Sequence, residues 1–308
     1  MRKQLGISSC LQTNFAQSKG GVMTLKLTKP AHRISSVADF VEYVMKWRRG
    51  GKKPVAFRGE SYLGWTTRPK VFRPDVDLYE HERKAIRDLI SIHPQEFKDD
   101  QTMFDRLVRM QHFELPTRLL DVSINPLVAL YFATSEQRID GKLVDGKVQA
   151  LFLPDERQRY FDSDRVSLMA NMSNLTSDEK RQIAAAQKKD IEEFNEDEAV
   201  KKLLSFVRLE KPYFEAKVVA QHLKLPVFVR PKMSNRRIIA QSGAFIIYGI
   251  RSLARSTEDE ELRLSRAIVP AEKKSEIRDQ LEQLGIHASS LFPEIDKAAG
   301  YIVKRYTN

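Results

Sequence analysis

Residues 111–133 read QHFELPTRLLDVSINPLVALYFA, and they decide how the fold is predicted. Asn125 precedes Pro126, a pair that is typical of a helix cap followed by the first helical position. The following LVALYFA is apolar on every side, which predicts a helix in the centre of the core. The stretch therefore places polar and charged side chains at the beginning of a buried helix.

The polar side chains before this helix have two interpretations. A buried helix begins with unpaired N–H groups, which Thr117, Arg118 and Asp121 could satisfy. An anionic ligand could be drawn to the same place. Because a buried charge is costly unless it is paired, we expect Arg118 and Asp121 to pair with each other or with Arg58. His112 continues an apolar stripe at helical spacing, so it is either a core residue or part of a ligand site.

The composition is that of a globular protein with a basic surface. The 308 residues carry a formal net charge of +11, and 42% of them are hydrophobic and 30% charged. No run reaches the length of a membrane span, and the single cysteine, Cys10, cannot form an internal disulfide. We therefore expect a protein of the cytoplasm with anionic partners.

Several standard chemistries are missing from the sequence. It contains no glycine-rich phosphate loop, no dinucleotide-binding fingerprint and no GxSxG elbow. Its six histidines have no paired spacing suited to zinc. We predict no metal site.

The densest basic run is KWRRGGKK at residues 46–53. One interpretation is a helix C-terminus, where cations complement the helix dipole and Gly50 and Gly51 end the helix. The other is a nucleic-acid-binding patch around Trp47. The candidate nucleic-acid contacts are Lys46, Arg48, Arg49, Lys52 and Lys53.

Hydrophobic patterning predicts an α+β fold in a single domain, with a small mixed or antiparallel sheet surrounded by many helices. We expect a flexible tail at residues 1–22, with Met23 as an alternative start, and one domain at 23–308. Its motif core is expected at 35–250 and a helical C-terminal part at 251–308. The predicted strands lie at 55–59, 146–154, 227–231 and 244–249, and the predicted helices at 35–49, 79–92, 101–112, much of 164–211, 272–286 and 289–306.

Two further polar clusters accompany predicted strands. In Phe57-Arg58-Gly59 the glycine permits the close approach of a ligand or of another backbone. Arg58 could hold a phosphate or carboxylate through two hydrogen bonds, or it could be a structural arginine paired with Glu60 or Asp121.

The other cluster is RRIIAQSGAF at residues 236–245. Its Gln241 could fix a ligand amide or a ribose, or it could tie down a loop. The spacing does not decide between these roles.

With these clusters the chain resembles the FRG-domain family, which takes its name from the motif seen here at residues 57–59. The second signature of the family resembles residues 111–133, the third resembles residues 236–245, and LFPEID at 291–296 is also similar. The resemblance extends over residues 35–300. Glu114 is a departure, because the family usually has a small residue there, normally glycine; a pocket at that place would be altered.

A further similarity is to ADP-ribosyltransferases, including DNA-modifying toxins. It implies that Arg58 holds NAD. In those enzymes a late glutamate orients the ribose, whereas QSGAFIIYG at residues 241–249 contains none. Since a carboxylate stabilises the cationic sugar of a ribosyl transfer, Gln241, Asp121 or Glu60 would have to take its place.

The three clusters together favour a nucleotide- or NAD-handling enzyme, in the role of a toxin or phage-defence effector that a partner protein neutralises. The expected ligand-binding residues are Arg58, Gly59, Thr117 and Asn125. The expected catalytic residues are His112, Arg118, Asp121 and Gln241. Two alternatives stay open: a nucleic-acid-binding module without catalysis, and an interaction protein whose motifs only fix the fold.

Overall fold

The computed structural model describes residues 31–250 and 262–294, apart from residues 74, 77 and 216. The predicted tail at residues 1–22, the alternative start at Met23 and parts of the predicted helical region 251–308 lie outside the described residues.

The strands form one large sheet and one short hairpin. Their bounds are β1 His32–Arg33, β2 Ala56–Glu60, β3 Leu119–Ser123, β4 Arg138–Ile139, β5 Lys142–Leu143, β6 Gly146–Leu151, β7 Gln158–Tyr160, β8 Val227–Arg230, β9 Gly243–Ile247 and β10 Leu264–Val269. The eight-stranded sheet has the order β1-β10-β6-β2-β3-β9-β8-β7, and β4 pairs with β5. The outer pairs β1–β10 and β7–β8 are parallel and the inner pairs are antiparallel.

Helices occupy most of the connections. Their bounds are α1 Val37–Met45, α2 Glu82–Ile92, α3 Met103–His112, α4 Pro126–Ala133, α5 Asp164–Asn171, α6 Ser177–Ala185, α7 Ile191–Glu196, α8 Glu198–Glu210, α9 Ala220–Lys224, α10 Arg236–Ala240, α11 Lys274–Gln283 and α12 Ala288–Leu291. Short 3₁₀ turns lie at Lys70–Phe72, Tyr79–His81, Pro94–Phe97, Asp155–Arg157, Met172–Asn174, Ala186–Lys188 and Ala271–Lys273. This arrangement confirms the α+β prediction.

Three hydrophobic clusters hold the layers together. Helices α1, α4 and α11 pack on β6 and β10, for example through Phe40, Leu130 and Ile277. Helices α3, α5, α6 and α8 pack on β3, β8 and β9. A third cluster around Leu120 and Ile246 also includes Val71, Phe72 and Tyr79. Within the described residues, every helix is too short or too polar to cross a membrane.

The central helix α4 lies directly on the sheet backbone. The side chain of Asn125 caps it by accepting a hydrogen bond from the N–H of Leu127 at 2.9 Å, as the sequence predicts. A Cβ atom added to Gly59 would lie 1.7 Å from the carbonyl oxygen of Ala129, and one added to Gly146 would lie 2.3 Å from that of Ala133. These two glycines therefore form the groove in which α4 lies.

Candidate functional site

The sheet is nearly divided between β2 and β3. These strands pair at a single position, Phe57 with Ser123, whereas β3 and β9 pair along their whole length. Beyond that pair, a side-chain hydrogen bond takes the place of main-chain hydrogen bonds between β2 and β3. Nη1 of Arg58 donates to the main-chain oxygen of Asp121 at 2.6 Å. We call this junction the seam.

An open cavity of about 230 Å³ lies at the seam. It is bounded by β2, α3, β3, α4, α10 and β9, so all three sequence clusters contribute to it. Its polar lining includes Arg58, Gln111, His112, Asp121, Asn235, Arg237 and Gln241, and its aromatic lining includes Phe57, Phe132 and Phe245. The structure therefore brings Arg58, His112, Asp121 and Gln241 together around one cavity.

Arg58 has both a structural contact and a free edge. Its Nε donates to Glu60 Oε1 at 3.0 Å, and Glu60 also forms an ion pair with Lys147 at 3.1 Å. Glu60 is therefore buried with its charge balanced by two cations. Nη2 of Arg58 has no hydrogen-bond partner among the described residues, and Arg58 lines the cavity.

Asp121 is an exposed carboxylate on a central strand. Its Oδ2 accepts a hydrogen bond from Gln111 Nε2 at 2.8 Å, and Gln111 Oε1 accepts one from Thr117 Oγ1 at 2.6 Å. A charged side chain in the middle of a sheet is tolerated here because the cavity keeps it in contact with solvent.

His112 forms part of the cavity wall as a weak base. Burial lowers the pKa of its imidazole below the ordinary value, and the charges of Arg237 and Arg109 lower it further. Glu294, whose Oε1 lies 3.9 Å from His112 Nδ1, acts in the opposite direction on the pKa. The surroundings of the ring therefore favour its uncharged form.

Gln241 lies at the cavity and also holds a loop. Its Nε2 donates to the main-chain oxygen of Leu291 at 3.1 Å, and its own main-chain oxygen accepts a hydrogen bond from Ser123 Oγ at 2.8 Å. The amide nitrogen of Gln241 thus ties down a loop, as one of the two interpretations expects. Its amide oxygen has no hydrogen-bond partner among the described residues.

Arg118 does not lie in the cavity wall, contrary to expectation. Its side chain is 0% exposed, its Nε donates to Glu82 Oε1 at 3.0 Å, and its Nη1 donates to the main-chain oxygen of Gly249 at 2.6 Å. Lys180 Nζ donates to Glu82 Oε2 at 2.6 Å. The expected pairing of Arg118 with Asp121 or Arg58 is wrong, because a carboxylate from α2 neutralises it instead.

Three other predicted residues have structural contacts. Thr117 is buried and donates to Gln111, and Asn125 caps α4, so neither lines the cavity. The predicted plug of Thr117, Arg118 and Asp121 at the start of α4 is also wrong, because Asn125 makes the cap. Gly59 does line the cavity, but the backbone that approaches it is that of α4.

The basic run at 46–53 is occupied mainly with local contacts. Helix α1 ends at Met45, before the glycines. Gly50 and Gly51 have positive φ and form a turn, on either side of which the main chains of Arg49 and Lys52 form a β-bridge. Thus the prediction that these glycines end the helix is wrong. Lys46 forms an ion pair with Glu42, Arg48 donates to the main-chain oxygens of Met45 and Trp47, and Lys52 forms an ion pair with Asp155. Arg49 and Lys53 are exposed.

The family comparison matches the part of the chain that forms one side of this cavity. The model of the FRG domain matches residues 53–142, which include β2, α3, β3 and α4. The chain carries an FRG domain. No curated protein matches the chain, and no solved structure matches it either.

Glu114, where the FRG resemblance leads us to expect a small residue, does not line the cavity. Glu114 has φ of 67° and follows α3, where the N–H of Leu115 donates to the oxygen of Met110 at 3.0 Å and the N–H of Glu114 to that of Gln111 at 3.1 Å. This is a Schellman motif, whose left-handed position favours glycine. The departure therefore concerns the end of a helix.

Several cavity residues were not singled out from the sequence as members of the site. Gln111 and Arg237 lie inside the motifs of the FRG resemblance, so their position there was an available signal. Asn235 lies just before the motif at residues 236–245. Its side chain caps α10, and a capping residue gives no separate signal of a place in a site. Glu294, which lies behind His112 and outside the cavity lining, belongs to LFPEID, and only the fold brings it beside that histidine.

Proposed function

We propose that the FRG domain binds a nucleotide-type anion in the cavity at the seam. The observation that carries the proposal is the meeting of three sequence motifs around one open cavity of about 230 Å³. Two cations, Arg58 and Arg237, and one exposed anion, Asp121, line it, so the charge favours an anionic guest.

The chemistry of the lining fits the parts of a nucleotide. Arg58 and Arg237 suit a phosphate, since guanidinium groups bind phosphate oxygens in pairs. Asp121, Asn235 and the oxygen of Gln241 suit ribose hydroxyls or a base amide, and the aromatic rings of the lining suit the face of a base.

The size limits what the cavity holds. Ligand pockets commonly measure about 300–1,000 Å³, so a cavity of about 230 Å³ would take one nucleotide unit. NAD would therefore place one half in the cavity and the other half outside it.

ADP-ribosyl transfer is the reaction that the resemblance implies, and the toxin and phage-defence roles depend on it. Of the candidates for the missing carboxylate, Glu60 is buried between cations and Gln241 is an amide. Asp121 is the exposed carboxylate of the lining, so we propose that it stabilises the cationic sugar.

Calorimetry with NAD, ADP-ribose, AMP and inorganic phosphate tests binding. Wild type should bind at least one nucleotide, and Arg237→Ala should weaken binding roughly 10-fold to 100-fold, because a hydrogen bond to a charged group is lost. Arg236→Ala is the matched control, since Arg236 is exposed on the same helix and does not line the cavity. Absence of binding by wild type, or equal losses in both variants, would refute the proposal.

Consumption of NAD tests the reaction separately. Purified protein should release nicotinamide in the presence of a macromolecular acceptor, and Asp121→Asn should abolish the release while retaining the fold. Release that persists in this variant would remove Asp121 from the proposed reaction.

A further inference from the structure

The segment Leu291–Glu294 lies against the cavity through three successive contacts. The main-chain oxygen of Leu291 accepts the hydrogen bond from Gln241, and the ring of Phe292 lies 5.0 Å from the guanidinium carbon of Arg237. Glu294 lies beside His112. Each contact is made to a residue that lines the cavity, although the segment itself is not part of the lining.

Glu294 is the charged member of this segment. Its side chain is 30% exposed, but its Oε2 is buried without a hydrogen-bond partner among the described residues. A buried carboxylate oxygen without a hydrogen bond destabilises the folded state unless a nearby charge or donor compensates for it. Nδ1 of His112 lies 3.9 Å from Oε1 of Glu294.

We propose that Glu294 is a positioning residue that fixes the tautomer of His112. The carboxylate favours a proton on Nδ1, which leaves the lone pair of Nε2, on the opposite edge of the ring, as the acceptor for a ligand hydroxyl. At 3.9 Å the two groups interact through charge or through one bridging water, since a direct hydrogen bond is shorter.

The other groups around His112 make this assignment specific. Arg109 on its own helix and Arg237 on α10 both disfavour the imidazolium, and Glu294 is the group that favours it. Loss of the Glu294 charge would therefore leave two cations acting on His112 without opposition. The ligand role of Nε2 rests on the proposed function, whereas the coupling of Glu294 to His112 does not.

Nitrogen-15 NMR of the ligand-free full-length protein tests the coupling. Wild type should show the Nδ1–H tautomer of His112, and Glu294→Gln should lower the pKa of His112 and shift the tautomer signal. Glu294→Asp should restore most of the wild-type pKa. Glu114→Gln is the matched control, because Glu114 follows the same helix and lies outside the cavity lining.

Each outcome bears on the proposal. A wild-type Nε2–H tautomer refutes it without any variant, and so does an unchanged pKa in a folded Glu294→Gln protein. Because no ligand is present, failure to bind nucleotides would overturn the proposed function alone. If nucleotides do bind, Glu294→Gln should weaken ribose-containing ligands and leave inorganic phosphate unaffected.

Discussion

The guanidinium of Arg58 and the main-chain oxygen of Asp121 are joined by a 2.6 Å hydrogen bond at the point where β2 and β3 separate. A side-chain hydrogen bond thus joins two strands where main-chain hydrogen bonds would otherwise do so. The same guanidinium balances the buried Glu60, so the arginine joins the two strands at the seam and also lines the cavity.

Arg58→Lys should destabilise the protein, although it retains the charge. A lysine ammonium cannot reach Glu60 and Asp121 in the fixed fork of a guanidinium, so we expect a loss of about 1.5–3 kcal/mol in the free energy of unfolding. Urea denaturation measures it. Arg236→Lys, on an exposed side chain, should leave the stability nearly unchanged, and equal effects in both would contradict the structural role.

Glu114→Gly should stabilise the protein. A residue with a side chain pays about 1 kcal/mol to adopt the left-handed conformation, which glycine adopts freely. Thermal unfolding should show a higher Tm. As the control, Asp279→Gly on the exposed face of α11 should act in the opposite direction, because glycine inside a helix costs roughly 0.5–1 kcal/mol. A lower Tm for Glu114→Gly would count against the Schellman assignment.

Gly59→Ala should prevent normal folding or cost at least about 3 kcal/mol, since the added Cβ would overlap the backbone of α4. Gly141→Ala separates this steric cause from backbone strain. Gly141 has φ of 76° and no atom near its would-be Cβ, so we expect a loss of only about 1 kcal/mol. Circular dichroism and chemical denaturation of both variants provide the comparison, and similar losses would exclude the packing explanation.

The buried ion network should make the protein acid-sensitive. Burial favours the neutral form of Glu82, but the charges of Arg118 and Lys180 outweigh it and hold the pKa of Glu82 below its ordinary value. A lowered pKa in the folded state contributes stability above the ordinary pKa of a glutamate, and this contribution is lost as the pH falls through the folded value. Unfolding free energies measured at decreasing pH should therefore decline below about pH 4.5.

Arg118→Ala tests whether this arginine is structural. It leaves Glu82 with one cation fewer, and breaking a buried pair typically costs about 3–5 kcal/mol. Nucleotide affinity of the protein that remains folded should be that of wild type. A stable variant that has lost binding would return Arg118 to the candidate site.

The sequence was sufficient for the elements whose causes are local. Asn125 and Pro126 identified the start of α4, and Gly285, with φ of 78°, marked the end of the helix that precedes it. The ion-pair partner of Arg118 could not be predicted, because Glu82 is 36 residues away in the sequence and no periodic pattern connects the two. The seam was also unpredictable, since hydrophobic alternation identifies strands and does not determine which of them pair.

The division of the sheet does not correspond to any division of the chain. The half with β1, β10, β6 and β2 and the half with β3, β9, β8 and β7 are built from interleaved segments. No proteolytic cut or truncation can therefore release one half as an intact piece. Both must assemble from distant parts of the polypeptide, and such non-local strand pairings predict slow folding.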